Sequence, residues 1–178
     1  MSSPSAIIVL ATLFLTSCVA PLSHTYFIPN TNDGKPVRTS SCGFFKNNED
    51  SLERKIGDLN VTVMPKYFSD GKLTVTFFLL YPSASIAFDP DKVEVLETTK
   101  RIALQPINKR VSSYGPDRTH PYTLSVTLFF SATATDIDSL TVIARPGALS
   151  VGGREIILEP YRFKQRTSTD LYYASINC

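Results

Sequence analysis

From Leu59 onward the chain alternates. Leu59, Val61 and Val63 are separated by Asn60, Thr62 and Met64, and Pro65 closes the run. Side chains two apart share a face of a strand, so this pattern predicts a strand with one apolar side. Ser69-Asp70-Gly71-Lys72 is turn chemistry, and beyond it Leu73, Val75, Phe77 and Leu79 alternate with Thr74, Thr76, Phe78 and Leu80. The two runs read as a hairpin. The clearest alternation sets Tyr122, Leu124, Val126, Leu128 and Phe130 against Thr123, Ser125, Thr127 and Phe129. Shorter strands are predicted over 85–88, 92–97, 101–107, 139–144, 148–151, 154–159, 161–164 and 170–177. Gly152-Gly153 supplies a two-residue hairpin turn. Residues 112–121 read as a long loop.

Two stretches break the period. Residues 21–41 hold Pro21, Pro29 and Pro36 around Asn30-Thr31-Asn32-Asp33-Gly34 and read as a flexible spacer. Residues 47–57 are the one helix candidate, with Asn47 or Asn48 as cap, Gly57 as stop and only Leu52 and Ile56 as an apolar face. Short strands at spacings of roughly ten residues, with no strong amphipathic helix, predict an all-β fold, an antiparallel β-sandwich. Pro82, Pro90, Pro106, Pro146 and Pro160 interrupt the strand region and count against a closed barrel. Immunoglobulin-like and transthyretin-like arrangements both fit, although the absence of tryptophan excludes the Cys-Trp-Cys core of antibody domains.

Three side chains sit on the wrong side of this pattern. Phe78, Leu80 and Phe129 follow threonines and serines on the faces that should meet water, and a solvated face should stay polar to its end. If the two strands are neighbours, these residues gather at one end of a sheet's outer face and need cover, from the spacer and the helix candidate or from a partner.

The first 17 residues carry no charge, and Ala6 to Leu15 is an apolar run too short to span a bilayer as a helix. It ends in Leu15-Thr16-Ser17-Cys18, which resembles the lipobox of bacterial lipoprotein precursors, where a leucine and two small residues precede the modified cysteine. The resemblance, which covers only the first 18 or so residues, implies a signal peptide over 1–17 and an acylated Cys18; composition then gives a tether to residue 41 (18–41 with the cysteine), and the strand pattern a sandwich domain over 42–178. The resemblance also implies a membrane held through the lipid anchor. Val19 stands where an aspartate commonly retains such proteins at the inner membrane, which implies the outer membrane of a Gram-negative cell, with the domain in the periplasm or at the cell surface. The competing reading is ordinary secretory cleavage after Ala20, which would leave Pro21 as the first mature residue.

With Cys18 acylated, two of the three cysteines remain. In an oxidising compartment Cys42 and Cys178 most simply form one disulfide, worth about 5 kcal/mol at most in the chain-entropy view. The alternative is two buried thiols.

Composition and charge narrow the function. The chain is 43% hydrophobic and 19% charged with a formal net charge of +2, and no basic stretch is interleaved with aromatics, so a nucleic-acid partner is not expected. His24 and His120 have no metal-ligand spacing, and no nucleophile elbow, phosphate loop or zinc motif occurs. Asp89-Pro90-Asp91 with Glu94, and Asp136 with Asp138, read as turns rather than calcium cages. No cofactor, no metal and no enzymatic activity are expected.

Binding has two sources. The loop from Tyr114 to Tyr122 brings Arg118 and His120 between two tyrosines, side chains favoured at contacts. Arg145, Arg154, Arg162, Lys164 and Arg166 cluster late in the chain, and 162, 164 and 166 share a strand face, a stripe suited to anionic headgroups, lipopolysaccharide or peptidoglycan. Charge that protects a strand edge from aggregation explains the same stripe. The expected function is a non-catalytic envelope lipoprotein whose sandwich binds a protein partner as an assembly or accessory component. An inhibitor of a cell-wall hydrolase and a glycan-binding module are the alternatives.

Overall fold

The computed structural model describes residues 19–38, 48–68, 70–81, 86–115 and 122–173. Cys18, Cys42 and Cys178, and with them the acylation and the disulfide, lie outside the described residues, as do Arg118 and His120.

The chain opens with β1 (Val19–Pro29), a single 3-10 turn at Thr31–Asp33 and β2 (Lys35–Arg38). The stretch expected to be a flexible spacer is therefore strand for most of its length. Its polar residues misled because β1 is paired along all eleven positions with the last strand, which satisfies the half of its backbone that faces β14, and because Phe27 is fully buried. The helix candidate is likewise a strand, β3 (Glu49–Ile56). Leu52 enters the core while Glu53 and Lys55 face Thr62 and Asn60 across the ladder, so these two charges are outer residues of a strand rather than a helix's polar side.

The hairpin β4 (Leu59–Tyr67) and β5 (Lys72–Tyr81) follows as expected. Next come β6 (Ile86–Phe88), β7 (Val93–Glu97), β8 (Ile102–Leu104) and β9 (Pro106–Tyr114). The last strands are β10 (Tyr122–Thr133), β11 (Ser139–Ala144), β12 (Leu149–Val151), β13 (Arg154–Ile156) and β14 (Tyr161–Tyr173). Gly152 and Gly153, both at positive φ, turn β12 into β13.

All pairings among the described strands are antiparallel, in a six-stranded sheet ordered β2-β3-β4-β5-β10-β9, a five-stranded sheet ordered β1-β14-β11-β7-β8 and a small sheet ordered β13-β12-β6. The result is an all-β antiparallel sandwich. Its core joins the alternating apolar positions of the two large sheets: Val61, Val63, Leu73, Val75, Phe77, Leu79, Val126 and Leu128 on one side, and Val95, Leu140, Val142, Tyr161 and Phe163 on the other. The small sheet adds Leu149 to this core, and Phe88 packs its ring 4.9 Å from that of Phe77.

A polar clamp ties the chain's beginning to its end. The Asp33 side chain, 3% exposed, accepts from the Arg162 backbone N–H at 3.0 Å and from Arg162 Nε at 2.9 Å. The guanidinium hydrogen bond holds the Asp33 carboxyl below the ordinary carboxylate range, against burial that pushes it up. Arg54 of β3 lies 4.0 Å over the Tyr161 ring and donates to the Pro160 carbonyl at 2.8 Å and to the carbonyls of Asp33 and Glu159. One guanidinium thus joins three segments. Two strands away from β14 in the five-stranded sheet, on β7, Glu97 is buried; burial pushes its carboxyl up, but the N–H groups of Lys100, Ser139 and Asp138 outweigh that and leave it below its ordinary value.

Candidate functional site

Register decides which residues meet on the outer face of the six-stranded sheet. Inward, β5 and β10 present the core. Outward, β5 presents Thr74, Thr76, Phe78 and Leu80, and β10 presents Thr123, Ser125, Thr127 and Phe129. Across β10 the partners of those four residues on β9 are Tyr114, Ser112, Arg110 and Asn108.

The outlying aromatics are on this face but not together. Phe78 pairs with Ser125, whereas Phe129 pairs with Thr74, four residues away along the strand. The expectation that they gather at one end is corrected. Both lie late in their own strands, and antiparallel pairing sends the late parts of two strands to opposite ends. Between them Thr76 and Thr127 share a hydrogen bond of 3.1 Å, and Thr74 donates to the Lys66 carbonyl at 3.0 Å, so hydroxyls nearly hidden from water on this face are satisfied.

Each end is a shallow hollow. At one end about 330 Å³ is bounded by Phe68, Ile107, Phe129 and Lys72, with the Phe68 and Phe129 rings 6.0 Å apart. At the other, about 280 Å³ is bounded by Phe78, Tyr114 and Arg110 over a floor of hydroxyls from Ser112, Thr123, Ser125 and Thr127. Leu80, paired with Thr123, lies beside Phe78 on the same face. Of the residues singled out from sequence, Phe78 and Tyr114 are brought together here. Tyr122 is not: it pairs with Tyr81 and sits one residue off the outward positions of β10, so it points to the opposite side from Tyr114.

Arg110 and Ser112 were missed. The sequence pattern predicts no element over 108–111 and a loop from 112, because Asn108-Lys109-Arg110-Val111-Ser112-Ser113 has no apolar alternation. They form a strand all the same, since β10 supplies the whole ladder on one side. On its other side β9 is the end of its sheet. Ile107, Val111 and Tyr114 of this edge are 61%, 54% and 62% exposed. The Lys109 N–H donates to the Asn108 side chain at 2.8 Å, so its backbone is turned away from β10, and antiparallel alternation turns Val111 and Ser113 outward with it.

The remaining expected features are spent on structure. Asp89 caps the turn at Pro90–Lys92, Asp91 pairs with Lys109, and Glu94 holds Arg145 at 2.7 Å. Asp136 accepts from the Thr133 N–H at 2.7 Å as a turn cap. Among the described residues no group of three or more His, Cys, Asp or Glu is placed to hold a metal. His24 is in β1, stacked 5.4 Å from Tyr26 and 2.9 Å from the Asn48 side chain. In the basic stripe Arg162 is committed to Asp33, while Lys164 and Arg166 are exposed on one face of β14. No helix among the described residues is long and apolar enough to cross a membrane. Comparison with protein-family models, with curated proteins and with solved structures gives no match.

Proposed function

We propose that the chain is a non-catalytic lipoprotein of the bacterial outer membrane, anchored through Cys18, whose sandwich adds an extended segment of a protein partner to the open edge of β9. The observation that carries this reading is the edge itself: nine residues long, with the Lys109 N–H turned outward onto the Asn108 side chain, the backbone of Val111 and Ser113 turned the same way by alternation, and Ile107, Val111 and Tyr114 exposed. A bare edge of this kind is a template for another strand. The edge strands β2 and β8 hold four and three residues, too few to offer a comparable ladder, and β1, the longer edge at eleven residues, is interrupted by Pro21 and Pro29. Lys109 and Arg110 interrupt the edge, which suits a chain that must avoid indiscriminate pairing while still accepting a chosen strand.

A backbone substitution tests it. Val111→Pro removes an outward N–H and leaves the bonds to β10 in place, whereas Ser112→Pro removes a bond of the ladder. A photo-crosslinker at Ser113 in the envelope should capture one discrete partner, and Val111→Pro should abolish that capture with the thermal midpoint nearly unchanged. Capture that survives Val111→Pro would sink the edge reading. For the anchor, Cys18→Ala should release the protein from membranes, and unchanged partition would remove the lipoprotein proposal.

A further inference from the structure

The outward positions of β9 carry a different chemistry from its edge. Arg110 is exposed, and among the described residues no carboxylate pairs with it, whereas the exposed Arg38, Arg145 and Arg162 are each paired, with Glu49, Glu94 and Asp33. Its neighbours in the hollow of about 280 Å³ are an exposed tyrosine ring at Tyr114, a half-buried phenylalanine at Phe78, and hydroxyls. Those of Ser112 and Ser125 have no hydrogen-bond partner in the protein among the described residues, and the Thr127 hydroxyl is tied to Thr76. Each hydroxyl can both donate and accept.

We propose that this groove binds a pyranose ring bearing one carboxylate, an acidic sugar. The guanidinium fork matches a carboxylate with two parallel hydrogen bonds. The serine and threonine hydroxyls match the ring's own hydroxyls, and the Tyr114 and Phe78 rings offer apolar surface to its C–H faces. Among the described residues Arg110 is the one charged residue lining the groove. A single fixed cation balances a single negative charge, whereas a phosphate monoester, at nearly two, would ask for a second base, which the described residues of the lining do not supply. The volume lies just below the range of roughly 300–1,000 Å³ typical of sites for drug-sized ligands, which suits one sugar ring rather than an extended oligosaccharide. The side chains of this groove face outward, and the edge of β9 is left free, so this site does not depend on partner addition at the edge.

The test uses the full chain in detergent, titrated by saturation-transfer NMR with glucuronate, its methyl ester, glucose, glucose 1-phosphate, galacturonate and a short oligomer of that last monomer, oligogalacturonate. Glucuronate should bind with a dissociation constant on the order of 1 mM, and the ester and glucose about tenfold more weakly or worse, because each lacks the charge-assisted pair. Arg110→Ala should reproduce the loss seen with the ester and Arg110→Lys should recover only part of it, since the fork geometry is gone. Tyr114→Ala should weaken glucuronate and glucose alike, a pattern that a mere charge effect would not give. Oligogalacturonate binding tighter than the monomer assigns the sugar to an acidic polysaccharide; equal binding assigns it to a terminal or free sugar acid. Equal affinity for the acid and its ester, tighter binding of the phosphate, or titration unaffected by Arg110→Ala with the fold intact would overturn the proposal. None of these results depends on Val111, so failure here and failure of the edge reading are told apart.

Discussion

The strand β14 lives in two environments. From Tyr161 to Lys164 it lies between β11 and β1, and its inward residues Tyr161 and Phe163 are buried in the core. From Gln165 to Tyr173, among the described strands, it pairs with β1 alone. The inward face continues there as Gln165, Thr167 and Thr169, and the apolar contact gives way to hydroxyl pairs, Thr25 with Thr167 at 3.0 Å and Ser23 with Thr169 at 2.9 Å. Gln165 stands at the junction, accepting from the Tyr67 hydroxyl at 2.9 Å and donating to the Ala134 carbonyl at 3.0 Å. The same backbone ladder is thus held in one half by apolar burial and in the other by pairing and polar side-chain contacts, the two hydroxyl pairs and His24 with Asn48. A ladder without burial behind it is marginal, so the ribbon half depends on the sandwich half to hold its register.

Substitutions should separate the two halves. The largest effect is expected at Phe27, which anchors β1 to the core: Phe27→Ala should cost about 3–5 kcal/mol in chemical denaturation and loosen the ribbon with it. A loss under 1 kcal/mol would mean that β1 contributes little to the fold. At the clamp, Asp33→Asn should cost about 2 kcal/mol at neutral pH by weakening charge-assisted hydrogen bonds to Arg162. The carboxyl of Asp33 is lowered in the folded state, so its contribution is present above the unfolded carboxylate value of about 4 and is lost as pH falls through the lower folded value. The acid limb of stability should therefore flatten in Asp33→Asn, and an unchanged limb would place the titration elsewhere, with Glu97 next in line.

Smaller effects contrast hydroxyls in the two halves. Among the described residues the buried Tyr161 hydroxyl has no hydrogen bond of good geometry, and burial, only partly offset by the Arg54 guanidinium, pushes its ionisation up to about 12. Tyr161→Phe should stabilise the protein by about 1 kcal/mol, read as a higher thermal midpoint. In the ribbon, Ser23→Ala with Thr169→Ala should cost only about 0.5 kcal/mol, as for a cross-strand pair in water, while amide exchange from 167 to 171 quickens. If the ribbon pair proved costlier than Phe27→Ala, the division of β14 would be wrong.

The same division explains what could be read from the chain. The strands β4, β5, β10 and β11 were legible because a core backs them and writes its period into them: Leu59, Val61 and Val63, or Leu140 and Val142, are inward and buried. Opposite a partner strand with no core behind it the sequence need only be compatible with extension, so most of β1 reads as spacer and β14 reads as two strands with a gap at 165–169. Leu52 alone could not mark β3 as strand against its run of charges. In the groove, aromatic outliers on polar faces pointed to Phe78, and exposure-prone chemistry pointed to Tyr114. Arg110 was invisible for want of a signal, since its meaning comes from the register of β9 on β10.

The ribbon has a mechanical meaning for the proposed anchoring. β1 begins at the residue after Cys18, so an acyl group there would be joined to the sandwich by strand rather than by slack chain. Nine residues of extended backbone separate Cys18 from the buried ring of Phe27, about 30 Å at the usual strand rise. A leash of that length would let the domain wander over a hemisphere of the membrane surface. A paired, twisted ribbon instead behaves as a short stiff stalk, with resistance to bending and to rotation about its long axis. Anchoring would then set the bearing of the molecule as well as its height, and the open edge of β9 would face one direction relative to the membrane plane, reducing a partner's search from three dimensions of tumbling to approach along a fixed heading.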